Sequence, residues 1–543
     1  MLNYVWLALL FLGIGTAITT DIINQNQNKF QNGNPLAVTM EFPGGSQIQH
    51  DKSYHANLNI KAADFSSFYK ENISQDVNVN AVVTTHPGTA NDVINFNVSK
   101  TDPKIWQDMA TASGNSDDIT GKIKIDSIIS PSIAKAHIVL EDVSFLKLKD
   151  VTSAAIDYAG SAVSISLGLI GVMALWLGVM KVAEEAGLIS IIARWLKPAT
   201  KKLFPDVPPD HPAMGSMIMN ISANMLGLGN AATPFGLKAM EELNELNPEK
   251  GVATNAMCTF LAINTAGMTL IPATAIAIRA ASGSSEPAII IGTSIFASFC
   301  ATIAGITAAK ILEKFPIKKG EFASWIKDKI KFITAIAVLV LIAILIIYSG
   351  IGKGITSKLG FFSPNAIRNI IQIFSTLAIP LLIVIFIGYG AIKKVRVYEK
   401  FVEGAKEGFT IAVKIIPYLV AMLVAIGIFR AGGAMQLLIN FLHPLTNLIG
   451  LPAEVVPMAL MRPLSGSGSL GIMAEIISVH GPDSFIGILV STLYGSSETT
   501  FYVLAVYFGA VNIKRIRHAL SAGLIADIAG VLAALFIVRL LFG

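Results

Sequence analysis

The sequence predicts an all-α polytopic membrane protein with one small β-sandwich-like insert outside the cytoplasm. Three observations lead there. Hydrophobic residues make up 53% of the 543 residues and charged residues only 14%, with a mean hydropathy of +0.62; a soluble chain carries about a quarter charged residues. Apolar runs such as 332–348 and 377–389, extended by uncharged flanks, approach the roughly 20 residues that cross a bilayer. The stretch 24–150 instead alternates apolar and polar residues between Gly, Pro, Asn and Asp punctuation.

Charge divides the chain the same way. Residues 24–150 hold 11 Lys and no Arg against 14 Asp plus Glu, a net −3, which leaves +8 on the rest of a chain whose total is +5. A mildly acidic insert on a basic membrane body fits the excess of Lys and Arg in cytoplasmic loops and argues against nucleic-acid binding. Cys258 and Cys300 lie in apolar segments, so a disulfide framework is not expected.

Taken in order, residues 2–18 are apolar, and Gly15-Thr16-Ala17 is small enough to resemble a signal-peptide cleavage site. No Lys or Arg precedes the run, so it reads as an uncleaved first transmembrane helix, domain 1–23. Within domain 24–150 the runs 36–42, 55–61, 77–85, 92–98, 121–129 and 136–145 alternate, with Pro43-Gly44-Gly45, Pro87-Gly88 and Pro131 between them. Short strands with such turns predict a small β-sandwich. His50, His55 and His86 are too scattered for a metal site.

Beyond the insert, apolar segments fall at 160–182, 213–228, 252–278, 288–310, 331–350, 367–391, 408–430, 454–475, 484–509 and 519–541. The amphipathic stretches 188–203 and 433–448 read as helices lying along the membrane interface. Basic stretches at 310–331, 393–406 and 514–517 anchor the cytoplasmic side and put the insert outside. They also require 213–235 and 454–480 to enter and leave from one side, as re-entrant hairpins.

The chain repeats itself. Residues 168–181 lead to an amphipathic helix ending in Trp195-Leu196-Lys197-Pro198; residues 415–430 lead to one ending in Phe441-Leu442-His443-Pro444. Each is followed by a small-residue hairpin, built around Asn220, Asn224 and Asn230 in one half and around Arg462-Pro463-Leu464-Ser465-Gly466-Ser467 in the other. A polar-interrupted segment comes next: Asn264-Thr265-Ala266-Gly267-Met268-Thr269, and Tyr494-Gly495-Ser496-Ser497-Glu498-Thr499-Thr500. A last apolar helix closes each half. The halves are domains 151–312 and 367–543, joined by a basic linker at 313–366 with an extra helix. That odd span makes the second repeat run opposite to the first, the arrangement of many secondary transporters. Irregular backbone is costly in hydrocarbon unless buried in protein or lining a wet cavity. The bland alternative is that small residues merely let helices pack closely.

At these residues the chain resembles a known family. Residues 168–178, 224–234 and 264–279 look like the bacterial spore maturation protein A, whereas 401–408, 462–468 and 494–502 look like spore maturation protein B. The resemblance implies a fusion of the two, with both halves in the Gate or nucleoside-recognition group that also includes concentrative nucleoside transporters and a ferrous-iron transporter. The β insert departs from the pattern of the A protein, which has only a short connection there.

Candidate site residues follow from cost. Ionisable groups within membrane segments are expensive and default to function, which singles out Glu498 and Arg462 as an expected pair, and Asp527 without an obvious partner. The polar positions Asn220, Asn224, Asn230, Thr233, Asn264, Thr265 and Thr269 in the first half join Arg462, Ser465, Ser467, Ser496, Ser497, Glu498 and Thr499 in the second as expected solute or ion ligands. Lys181 and Arg430, at equivalent helix ends, read as snorkelling anchors. Gly227-Leu228-Gly229-Asn230 lacks the βαβ context of a dinucleotide site, and no phosphate-binding loop or nucleophile elbow occurs, so no enzyme is expected.

The function expected is a secondary transporter in a bacterial cytoplasmic (inner) membrane, moving a small polar solute (nucleoside-like, an organic acid or an ion). No metal or cofactor is expected beyond a coupling ion, Na+ or H+. The expected partners are that solute and the lipid bilayer, with an envelope partner reached through 24–150, no nucleic acid, and homo-oligomerisation left open. The alternative is a non-transporting scaffold for cell-envelope or spore maturation.

Overall fold

The computed structural model describes residues 2–43, 53–85, 92–113, 117–314 and 364–543. The helix expected at 331–350 and most of the 313–366 linker lie outside them, as do His50 and His86. The chain divides into two compact units, one of residues 7–157 with 427–437 and one holding the rest.

The first unit contains most of α1 (Leu2–Asn26) and the insert. Six strands form where alternation was legible: β1 (Leu36–Glu41), β2 (Ser53–Ile60), β3 (Val77–Thr84), β4 (Asp92–Asn97), β5 (Asp118–Ser130) and β6 (Ile133–Leu140). Two helices fall between them, α2 (Ala62–Tyr69) after β2 and α3 (Lys104–Ser113) after β4. Neither was expected.

The sandwich is corrected to a closed barrel. Each strand pairs antiparallel with the next, and β1 pairs on its second edge with β6, so Thr39 stands opposite both Asn59 and Lys135. Alternation requires only one buried face per strand, and sandwiches and barrels meet that requirement equally. Closure removes the exposed edges a sandwich would have to protect. The interior is filled by Met40, Leu58, Ile94, Phe96 and Ile138, with Phe65 of α2 and Trp106 of α3 closing over them. The Trp106 ring lies 5.4 Å from Phe65 and 4.9 Å from Phe96, and its indole N–H donates to the Tyr69 hydroxyl at 3.2 Å.

Buried Asp21, near the end of α1, accepts from the backbone N–H groups of Lys147 and Leu148 at 2.9 and 3.0 Å. It thereby supplies acceptors to the otherwise unsatisfied first turn of α4 (Leu146–Glu185).

The second unit is helical. After α4 come α5 (Leu188–Leu203), α6 (Pro212–Met225), α7 (Gly229–Glu245), α8 (Asn255–Ala266), α9 (Ala273–Ala281) and α10 (Ile290–Leu312). The later elements are α11 (Pro364–Ile392), α12 (Val397–Ala431), α13 (Ala434–Ile449), α14 (Val456–Met461), α15 (Gly466–His480), α16 (Phe485–Gly495), α17 (Thr500–Ala510) and α18 (Ala519–Phe542). Among the described residues five helices are long and apolar enough to cross a membrane: Asn3–Asn26, Leu146–Glu185, Pro287–Leu312, Val397–Ala431 and Ala519–Phe542. Large apolar side chains on them, such as Leu167, Ile303 and Ile528, face outward. That is stable where the surrounding solvent is lipid. This is a multi-pass membrane protein with a β-barrel insert.

The sequence signals noted in each half fall on these helices and the turns between them. The amphipathic helices α5 and α13 correspond, each with an internal Pro (Pro198, Pro444). The pairs α6–α7 and α14–α15 are joined by short turns, α8–α9 and α16–α17 by polar breaks, and α10 and α18 close the halves and pack along each other.

Candidate functional site

The breaks arise because the sequence stops each helix with residues that cannot continue it. α8 ends at Gly267, whose φ of +59° is the left-handed conformation glycine adopts without steric cost, and Pro272 then precedes α9. α16 ends in Ser496, with Ser497, Glu498 and Thr499 leading into α17.

The two breaks touch. The Glu498 N–H donates to the Thr265 carbonyl at 3.1 Å. A Cβ on Gly267 would lie 2.8 Å from the Glu498 nitrogen, and one on Gly495 would lie 2.7 Å from Pro272. The turn of the first hairpin joins them, since Leu270 N–H donates to the Met225 carbonyl at 2.7 Å and Asn224 Nδ2 donates to Asn264 Oδ1 at 3.0 Å.

Breaking a helix leaves carbonyls without partners, and Arg462 supplies the donors. Its Nη2 donates to the carbonyls of Tyr494, at 3.0 Å, and of Ser497; Nη1 reaches Thr499 Oγ1 at 3.4 Å. The guanidinium carbon lies 4.5 Å from the Tyr494 ring centroid, close enough for cation–π attraction. The expected ion pair is therefore corrected: Arg462 and Glu498 make no salt bridge. The carbonyls exposed by the break occupy the guanidinium, and Glu498 is left exposed, with no ion pair among the described residues.

Around this crossing lies a cavity of about 300 Å³. Asn224 and Thr269 of the first half line it together with Arg462, Ser497, Glu498 and Thr499 of the second. Asn220, Asn264, Thr265, Ser465 and Ser496 support the backbone from outside it. Asn220 is buried and donates to the Ala232 carbonyl and the Tyr507 hydroxyl at 2.8 and 3.3 Å. Asn264 and Thr265 donate to carbonyls of their own helix, those of Phe260 and Ala262. Ser465 caps α15 by accepting from Gly468 N–H, with Ser467 beside it at 3.5 Å. Ser496 is buried and donates to the Leu493 carbonyl. Thr233 is half-buried off the cavity, and the side chain of Asn230 lies outside the description.

Sequence reasoning passed over Trp176, Lys181 and Glu184 on α4, Glu407 on α12, and Tyr494, all of which line the cavity. Lys181, read from sequence only as a helix-end anchor, also lines the cavity. Its Nζ lies 3.3 Å from Glu184 and 3.8 Å from Glu403, beside the cavity. Helix α12 can reach this wall because Gly404 and Gly408 press against the backbone of Leu177 and Met173. Trp176 and Glu407 sit inside the 168–178 and 401–408 motifs, so a signal existed, but nothing local said that those two helices cross. The lining carries both signs of charge, aromatic faces and amide groups, the equipment for orienting a small polar molecule.

Helix breaks meeting at a polar cavity inside a multi-pass membrane unit define a membrane protein of the Gate type. The profile described as "Gate: Nucleoside recognition" matches residues 166–282 and 412–514, which contain both breaks. The chain belongs to the family of the spore maturation proteins A and B. It is 56% identical over 175 residues to spore maturation protein B of Bacillus subtilis (strain 168), covering 32% of this chain and 98% of that protein. It is 48% identical over 173 residues to spore maturation protein A of the same organism, covering 32% of this chain and 88% of that one. No solved structure matches the chain.

Proposed function

We propose that this protein is a secondary transporter that binds a small polar solute in the cavity where the two breaks meet. The observation that carries the reading is the direct contact between the breaks, Glu498 N–H on the Thr265 carbonyl, beside a cavity that both halves line. Freed carbonyls and amides in membrane helices are tolerated where they face protein or a wet cavity, and inverted repeats with paired broken helices place such a site near the midplane. The reading takes α6–α7 and α14–α15 as re-entrant hairpins and the second half as the inverted copy of the first. It places the chain in the cytoplasmic membrane with the barrel outside.

Glu498 and Glu407 are lining carboxylates that form no ion pair among the described residues, so the preferred solutes carry an amine or another cationic or hydrogen-bond-donating group, the nucleoside-like class included. A spore-maturation role, as in the names of the two relatives, would then rest on movement of such a solute.

The test is a binding and uptake panel of nucleosides, amines, small acids and metal ions on the purified protein in nanodiscs and proteoliposomes. Saturable binding that Glu498→Gln abolishes, in a variant of unchanged elution profile, is the expected result. Absence of binding and uptake across the panel would sink the transporter reading in favour of an envelope scaffold acting through the barrel.

A further inference from the structure

Asp527 is a buried acid that the proposed carrier leaves unexplained. Asp527 lies midway along α18 and is only 7% exposed. Its Oδ2 accepts a hydrogen bond from Thr500 Oγ1 at 2.7 Å, while Oδ1 is buried and has no hydrogen-bond partner. A buried carboxylate is expensive unless it is paired or neutralised. No cation of the described residues forms an ion pair with it. Arg462, the charge acting on it through space, has its donors on carbonyls and a hydroxyl elsewhere. None of the ionisable side chains on α8, α10, α16 and α17 (Cys258, Cys300, Lys310, Tyr494, Tyr502, Tyr507), nor Arg539 on its own helix, bonds to it.

The surroundings are small and apolar: Ala266, Ala301 and Ala526 pack together beside it. Two hydroxyls break that environment. A Cβ on Gly523, one turn before Asp527, would lie 2.8 Å from Thr500 Cγ2 and 3.3 Å from Thr265 Oγ1, so glycine lets both threonines approach this face of α18. Thr265 belongs to the first break and Thr500 begins the helix after the second.

We propose that Asp527 is the cation site of this carrier, its carboxylate together with the Thr500 and Thr265 hydroxyls binding one small monovalent cation, a proton or a sodium ion. The inference rests on the transporter reading and adds its coupling. A cation here neutralises the acid and holds Thr500, next to the cavity-lining Thr499 and two residues from Glu498, in the arrangement that shapes the solute site. Occupancy of the two sites is linked because both act on the same four-residue break.

The experiment needs no solute. Binding of radioactive sodium to the purified full chain in nanodiscs is measured together with the infrared C=O stretch of a protonated carboxyl group at neutral pH. The parent is expected to give one of these signals: sodium binding identifies sodium as the occupant, and the carboxylic-acid band identifies the proton. Asp527→Asn, isosteric and neutral, is expected to abolish it, and Thr500→Val to weaken sodium binding at least several-fold or shift the band. A parent with neither signal, or a folded Asp527→Asn that keeps the parent's signal, would overturn the proposal. Should Asp527→Asn not fold, the parent and Thr500→Val decide, and a Thr500→Val signal identical to the parent's overturns it. Solute binding without a cation signal refutes this site alone, whereas a cation signal with no solute bound anywhere refutes the transporter reading instead.

Discussion

Arg279 offers the clearest quantitative prediction. Its side chain is completely buried at the end of α9, and each of its three nitrogens donates. Nε donates to the Pro287 carbonyl at 3.2 Å, Nη1 to the Pro482 carbonyl, and Nη2 to Ser284 Oγ, the Glu286 carbonyl and Asp483 Oδ1 at 3.1, 3.3 and 2.8 Å. Pro482 and Asp483 belong to the α15–α16 loop, so this one side chain latches the first half of the membrane unit to the second. Replacing it with Met keeps the bulk and removes all the donors.

Breaking a buried pair by deleting one partner costs about 3–5 kcal/mol. Each orphaned buried carbonyl adds about 1–3 kcal/mol. Asp483 lies at 40% exposure and can turn to water, so the pair itself adds little and the cost rests on the three orphaned carbonyls at the low end of that range, about 3–5 kcal/mol in all. The assay is SDS-titrated unfolding of the purified protein followed by tryptophan fluorescence. Asp483→Asn should cost less, because the Ser285 N–H and hydroxyl, which share one carboxylate oxygen, can still donate to the amide oxygen. A loss below about 0.5 kcal/mol for Arg279→Met, the size of an ordinary surface change, would refute the latch.

The pH dependence has a definite sign. Burial alone would raise the Asp483 carboxyl, but donors from Ser284 and Ser285 and the charge of Arg279 outweigh it and hold it below the usual carboxylate range. A depressed folded value means the contribution is complete above the unfolded carboxylate value, about 3.9, and is lost as pH falls through the lower folded value. Asp483→Asn should remove that acid-side decline.

Other outcomes follow from the same geometry. Arg462→Met should destabilise the fold by about 2–3 kcal/mol through the orphaned Tyr494 and Ser497 carbonyls, whereas Glu498→Gln should not. Combining them should leave the Arg462 penalty intact, and a rescue in SDS titration would show that the two charges are paired after all. Asp21→Ala removes two acceptor contacts from the first turn of α4 and should lower stability by about 1–2 kcal/mol, read by proteolysis of the barrel unit. Under the proposed orientation, Lys104→Cys should react with an impermeant maleimide on intact cells and Lys394→Cys should not; labelling of the latter would overturn the inverted arrangement.

The candidate site was half visible in sequence. Glu498 and Arg462 were conspicuous because charges in apolar segments are rare, but their predicted partnership failed. Arg462 was drawn instead to Tyr494 and Ser497 carbonyls that exist as free acceptors only once α16 has ended. Asn220 and Asn224 look equivalent as letters, yet one holds the α6–α7 turn and the other faces the cavity. Trp176, Lys181 and Glu407 went unnoticed as ligands because they lie on helices that read as ordinary spans.

Local chemistry sets what is determined along the chain. Apolar length specified which segments can sit in lipid, period-two alternation placed all six strands, and Gly, Ser and Pro marked where helices must break. Those outcomes depend on neighbours a few residues away, and the sequence alone carries them. Closure of the barrel by β1 and β6, the crossing of α4 with α12, the latch from Arg279 to Asp483 and the meeting of Gly267 with Glu498 were decided only in three dimensions. Each depends on which surfaces come into contact across long separations in sequence, and no local pattern encodes that choice.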